Sequence, residues 1–328
     1  MEPRFKTPLF KRCSRTLFRI IKLLSPVFSI VVLKKKFPAN KLAPVLWDNF
    51  LAALFSKEIN LHYGQQFKQL PKFNNKDTNT IFVLGCGQSV NNITAEQWNI
   101  ISKHLGIGVS YFFVNQHYSP NINIVELGAS ANAVKLFNDY CLDKNQKQIN
   151  VLQIRHVVDA SQQFRNSNNL FYFSPKTLPT NDKELLAAFH LRYAKSKQLI
   201  TMHHASCLDA AVTLAAQYNP KQIVLIGVDL DGLDYFWENG KTQAERDAKY
   251  TVQEDLKNLP FDKSQEKLHP SMNEKYASDR KILPLDQYLN ILKNVYLKEK
   301  GIELLIANPN SKLCDRINIK TYDFGKKR

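Results

Sequence analysis

The chain has 328 residues, is 44% hydrophobic and carries a formal charge of +16, so it can bury a large core in one or two domains. Its five cysteines (Cys13, Cys86, Cys141, Cys207, Cys314) are scattered, with no CxxC pair and no Cys/His cluster at zinc spacing. That excludes a disulfide framework and a structural metal, and points to a reducing compartment. The charge is lopsided: residues 1–42 hold eleven Lys/Arg against Glu2 alone, so +10 of the +16 lies there. This is a basic arm on an ordinary globular body, not a nucleic-acid-binding domain.

Residues 1–75 read as that arm plus a helical connector, and residues 76–328 as the main domain. The arm contains an apolar run, "LLSPVFSIVVL" at 23–33, with Arg19 and Lys22 before it and Lys34 to Lys36 after it. It is shorter than the ~18 residues of a membrane span, and no small-residue cleavage site follows to mark a secretory signal. Basic flanks around a short apolar stretch suit a segment lying on an anionic membrane surface. The alternative is a helix packed on the main domain with its lysines solvated. In the connector, "NKLAPVLWDNFLAALF" has helical spacing and "PKFNNKDTN" breaks it.

From there strands and helices alternate. The spacing predicts strands at 80–85, 107–115, over "NINIVELG", and at 149–155, 169–174, 222–230 and 302–308. It predicts helices at 94–105 with Thr94 as cap, over "SANAVKLFNDYCL", and at 206–218 and 284–300. This order defines an α/β fold, a Rossmann-like, doubly wound, mostly parallel sheet. The polar stretch 231–283 reads as an insertion forming a lid over the ligand crevice.

Ligands in such sheets sit at the carboxyl ends of the strands, beside helix N-termini with free backbone N–H groups. In "TIFVLGCGQSV" (80–90) a buried strand runs into Gly85 and Gly87, whose missing Cβ atoms let a nucleotide phosphate or ribose approach, with Ser89 to cap or donate. A tight structural turn explains the same glycines, and the stretch is neither GxGxxG nor a Walker loop. In "FFVNQHY" (112–118) the amides of Asn115 and Gln116 either read a base or ribose edge or form a polar Asx-turn. A small-residue helix start at 203–207 leads into a buried strand ending at Asp229, which either serves the ligand or caps the turn.

In this order, "LGCGQS", "VNQHY", "ASCLDAAVTLAA…IVLIGVDL", a loop histidine and "LIANPNSKL" resemble the bacterial family 42 sialyltransferases over roughly residues 78–315. Those enzymes are related to the 6-hydroxymethylpterin pyrophosphokinase-like fold. The resemblance implies a Rossmann-like domain with a lid that transfers sialic acid, with inversion, from a CMP-sugar to a hydroxyl of a lipooligosaccharide or capsule glycan. It implies no cofactor and no metal. It places the protein in the bacterial cytoplasm, peripheral to the inner membrane, and leaves room for a homo-oligomer. Gly85, Gly87 and Ser89 match the family's nucleotide loop, with Cys86 in place of Asn and Gln88 in place of Pro. Asn115 and Gln116 match its Asn-Gln pair, and Ala205 and Ser206 occupy its Ser-Gly pair. Tyr235 matches one of two tyrosines that hydrogen-bond the departing phosphate, while Asp231 stands where the other would lie. His269, in "KLHPSM", is the nearest match to the lid histidine that acts as general base.

Two other readings stand beside this one. "DLD" at Asp229–Asp231 is also the acidic pair with which many glycosyltransferases hold a divalent metal. An ATP- and Mg²⁺-dependent phosphotransferase would use it. A membrane-peripheral, glycan-related binding protein without catalysis would account for Cys86 and Asp231. Among the eight histidines, His203 and His204 precede a helix and either contact phosphate or cap it, whereas His104, His156 and His190 read as structural.

Overall fold

In a computed structural model of the chain, the run Thr80–Leu84 forms the inner half of β2 (Asp77–Leu84) and is wholly buried. The structure describes residues 65–127, 131–142, 148–153, 164, 168–178, 180–196, 201–232, 234–257 and 268–325. The basic arm, most of the connector, His156 and the middle of the insertion lie outside them.

Within the described residues the strands are β1 (Gln65–Gln66), β2, β3 (His104–Val109), β4 (Ile122–Val125), β5 (Ile149–Gln153), β6 (Leu170–Phe173), β7 (Gln222–Ile226), β8 (Glu303–Ile306) and β9 (Lys320–Thr321). They pair in one sheet in the order β1-β6-β5-β4-β3-β2-β7-β8-β9, and every pairing is parallel. Parallel neighbours need crossovers, supplied here by helices, so both faces are covered. The order reverses between β2 and β7. The chain winds outward from β2 on one side and from β7 on the other, which makes that seam the topological switch point where such sheets bind ligands.

Alternation along β2 divides the core in two. Ile81 and Val83 face a cluster built with α3 (Lys183–Ala194), α4 (Cys207–Ala216), α7 (Leu285–Ile291) and α8 (Lys312–Ile317). Phe82 and Leu84 face the other cluster, with α1 (Ala95–Ser102), α2 (Ala131–Phe137) and α5 (Gln243–Lys257). All ten residues of α4 are buried. The alanines at 210, 211, 215 and 216 let its backbone lie close to the sheet. A short α6 (Glu274–Asp279) precedes α7.

Three elements differ from the sequence expectation. The strand expected at 107–115 stops at Val109, because Ser110 takes a left-handed φ of 54° and the chain turns into a 3₁₀ segment, Ser110–Val114. Helix α3 was not read from the pattern, although Asp182 caps it by accepting from the N–H of Leu185. Within the insertion, α5 opens on a capping box. The Thr242 hydroxyl accepts from the N–H of Glu245 at 3.1 Å, and the Glu245 carboxylate accepts from the N–H of Thr242 at 3.2 Å. Ala248 and Val252 bury α5 in the second cluster, and the Tyr140 hydroxyl donates to Asp247 at 2.8 Å. Helix α5 is thus docked on the sheet's flank, while among the described residues the insertion's start through Tyr235 and its return at His269 and Ser271 reach the strand ends.

His190 on α3 is fully buried, neither ring nitrogen has a hydrogen-bond partner among the described residues, and the rings of Tyr288 and Tyr296 lie 5.2 and 6.2 Å away. Burial lowers its pKa to about 4. The unfolded chain therefore takes up this proton first as pH falls from about 6.5 towards 4, and stability is lost across that window. His190→Phe is expected to shrink the loss of unfolding free energy between about pH 7 and 4.5 by about 2–3 kcal/mol. Urea unfolding at the two pH values checks this; an unchanged loss contradicts it.

Candidate functional site at the switch point

At the carboxyl ends of β2 and β7 the two chains stay in register beyond the strands. Gly85 donates to the carbonyl of Ile226 at 2.7 Å and Gly87 to that of Gly227 at 2.8 Å. A Cβ on Gly85 would lie 2.5 Å from the Gly227 oxygen, and one on Gly87 would lie 2.4 Å from Asp229 Oδ2. The two glycines thus admit the neighbouring β7 loop, and the space a side chain would need is filled by protein. The left-handed residues Ser110, Gly227 and Leu230 all stand at this edge, where strained backbone commonly marks a functional site.

Asp229 organises the seam. Its carboxylate accepts from the Ser89 N–H at 2.8 Å, the Ser89 hydroxyl at 2.5 Å and the Asn308 amide at 2.7 Å. Its carbonyl accepts from the N–H of Lys312 at 3.0 Å, and the Ser311 hydroxyl donates to Val228 O at 2.6 Å. The "LIANPNSKL" stretch is therefore what anchors the end of β7. Ser89 and Asp229, both expected to face the nucleotide, are engaged with each other. Among the described residues no group of three or more His, Cys, Asp or Glu side chains is placed to hold a metal ion.

A cavity of about 230 Å³ opens here. Of the residues singled out in the sequence, it brings together Gly85, Cys86, Gly87, Ser206, Asp229, Asp231, Tyr235 and His269. Ser89, Asn115, Gln116 and Ala205 are not among its lining residues. Asn115 Oδ1 accepts from the N–H groups of His117 at 2.9 Å and Tyr118 at 3.0 Å, which is the Asx-turn. Gln116 is exposed, with its amide 3.3 Å from His117 Nε2. The Ala205 N–H is held at 2.7 Å by Asp209.

Ser206 caps α4, its hydroxyl accepting from the Leu208 N–H at 3.1 Å, and the helix start lines the cavity. Asp209, wholly buried, accepts on one oxygen from the N–H groups of His204, Ala205 and Ser206. Burial raises its pKa to about 6. His204 is no phosphate contact: its Nε2 accepts from the Leu283 N–H at 3.0 Å and its ring stacks on Tyr288 at 4.1 Å. It ties the insertion's end to the start of α4.

Tyr235 bridges to Gly87 and stacks on Trp237 at 4.8 Å. Burial raises its pKa, so its hydroxyl keeps its proton. Opposite, the His269 backbone N–H donates to Leu230 O at 3.3 Å, and its Nδ1 lies 2.7 Å from Ser271 Oγ. The residue is half-buried as a whole, yet desolvation of the ring lowers its pKa to about 4. Glu126, just beyond β4, also lines the cavity and pairs with His203 Nε2. Sequence reading had treated it only as part of a strand; a lone acid closing the apolar "NINIV" was the available signal.

Fold and site together define a Rossmann-like α/β protein with a cavity at its switch point. Neither a protein-family model nor a curated protein matches the chain. Among solved structures it is similar to the monofunctional alpha-2,3-sialyltransferase Cst-I from Campylobacter jejuni, at 12% identity and TM-score 0.41 over 79% of this chain and 87% of that one. It is similar at 12% identity and TM-score 0.38 to the sialyltransferase CST-II, solved with a trisaccharide acceptor and CMP, over 75% of this chain and 89% of that one. A further apo alpha-2,3-sialyltransferase from Campylobacter jejuni matches at 13% and 0.38, over 79% and 88%. At these identities and scores the matches establish no family.

Proposed function

We propose that the protein is an inverting glycosyltransferase that moves sialic acid, or a related nonulosonic acid, from a CMP-sugar to a hydroxyl of a bacterial surface glycan. The observation that carries this reading is convergence. Gly85 and Gly87, the Ser206 helix start, Tyr235 and His269 come from four separate stretches of the motif order, and all line one cavity. In the reaction the acceptor oxygen attacks the anomeric carbon from the face opposite the phosphate. The carbon–oxygen bond to CMP breaks with its electron pair left on the phosphate, and the acceptor's proton goes to the His269 ring. Tyr235 donates to the departing phosphate. No lysine or arginine is among the lining residues, so in this reading the phosphate is met by neutral donors and the N-terminus of α4.

A Mg²⁺-dependent phosphotransferase would need Asp229 and Asp231 as a metal pair, and the Asp229 carboxylate already holds three donors. Incubation with CMP-sialic acid and a galactose-terminated acceptor tests the proposal. Release of CMP with a sialylated product supports it. CMP-sugar left intact, with or without acceptor, sinks it and favours a binding protein.

The basic arm is proposed to hold the protein at an anionic membrane. No helix of the described residues is long and apolar enough to cross one. Deleting residues 1–36 is expected to release the protein from vesicles rich in anionic lipid in a sedimentation assay, and retained binding would refute the role.

A further inference from the structure

We infer that Ser271 is a catalytic residue, carrying the acceptor's proton to Nδ1 of His269 while the His269 ring keeps its own proton on Nε2. The inference rests on the glycosyl-transfer reading above and assigns the path by which its base is reached.

His269 caps the short helical turn Pro270–Met272, and its Nδ1 accepts from the Ser271 backbone N–H at 3.2 Å. The turn is held in place by the buried Met272 side chain, the Met272 N–H on the His269 carbonyl at 2.8 Å, and the His269 N–H on Leu230 O. A backbone N–H cannot rotate away or reverse its direction. In the neutral ring this favours the lone pair on Nδ1, because a proton there would forfeit the bond from that N–H. A neutral imidazole carries one proton, so it lies on Nε2. In that tautomer Nε2 donates and cannot take a proton from an acceptor hydroxyl.

The second contact supplies a route. Ser271 Oγ lies 2.7 Å from Nδ1, a normal O–H···N length, and with Nδ1 unprotonated the hydroxyl is the donor. Both Ser271 and His269 line the cavity. As the acceptor oxygen bonds to the anomeric carbon, its proton passes to Ser271 Oγ and the serine's own proton passes to Nδ1. The serine ends neutral and the ring ends as imidazolium, its Nδ1–H directed at Oγ with the longer contact to the Ser271 N–H given up, and the charge balances the electron pair leaving on the CMP phosphate. The Nε2–H remains a donor throughout.

Ser271→Ala removes the relay oxygen and keeps the backbone N–H that fixes the ring. It is expected to lower kcat about a hundredfold with CMP affinity unchanged, and Ser271→Thr to restore most of the rate. Nitrogen-15 spectra of the His269 ring give a readout independent of turnover. They are expected to show the neutral ring protonated on Nε2 in both the wild-type protein and Ser271→Ala. A proton on Nδ1 overturns the relay whatever the activity, as does a Ser271→Ala kcat within a few-fold of wild type. A wild-type protein that transfers no sugar fails the functional reading and the relay with it, while the tautomer is still decided by the spectrum.

Discussion

His269→Ala is expected to lower kcat by about a hundredfold or more, the scale of losing a general base, with CMP affinity nearly unchanged. The ring is the only imidazole among the residues lining the cavity, and it stands on a segment that returns from the insertion to meet the end of β7. Its pKa of about 4 gives the proposal a pH signature. A base must be unprotonated, so kcat/KM, which reports the free enzyme, should stay flat from about pH 8 to 5 and fall only as pH drops towards 4. A limb near the ordinary histidine value of about 6.5 would contradict that assignment. The limb in kcat is expected at higher pH, because bound phosphate and carboxylate favour the imidazolium. A His269→Ala kcat within a few-fold of wild type removes the residue from the mechanism.

Gly87→Val is expected to abolish nucleotide binding and to destabilise the fold by about 2–4 kcal/mol. In the sequence the missing Cβ reads as room for a ligand or as a tight turn. The structure gives a different reason for loss. Gly87 has an ordinary φ of −63°, so backbone conformation is not the obstacle. Its Cβ would press 2.4 Å from Asp229 Oδ2 and 2.9 Å from Gly227 O. Asp229 cannot swing aside without releasing Ser89 and Asn308, which would leave polar groups unpaired beside the cavity. Thermal unfolding and CMP titration together check this. A variant with normal melting temperature and normal CMP affinity would mean the seam is looser than its hydrogen bonds imply.

The elements legible in the sequence were those with one dominant signal. The apolar runs of β2, β7 and β8 and the small-residue helix α4 are buried throughout or nearly so, and their patterns need no partner to interpret. Helix α5 carried a readable Thr242–Glu245 capping box, yet its polar composition hid the narrow stripe through Ala248 and Val252 that docks it. The end of β3 was missed because the turn depends on a single left-handed serine, Ser110, a residue type without that preference.

The same division runs through the site. Gly85, Gly87 and the helix start at Ser206 were legible because parallel topology puts strand ends and helix starts at one edge, whereas Tyr235 and His269, which also line the cavity, were singled out by the family resemblance alone. Glu126 was not, since its place in the cavity depends on how β4 registers against β3. Asn115 and Ser89 sit at the right edge, but local hydrogen bonds to Tyr118 and His117, and to Asp229, claim their side chains. Ser271 acts through the tautomer of its neighbour, which no motif encodes.

Calorimetric titration of CMP, CDP and ATP, each with and without Mg²⁺, tests the central claim most directly. Saturable binding of CMP in the absence of metal, lost in Gly87→Val and kept in His269→Ala, is the predicted result. Binding of ATP only with Mg²⁺, or of no nucleotide at all, would contradict it.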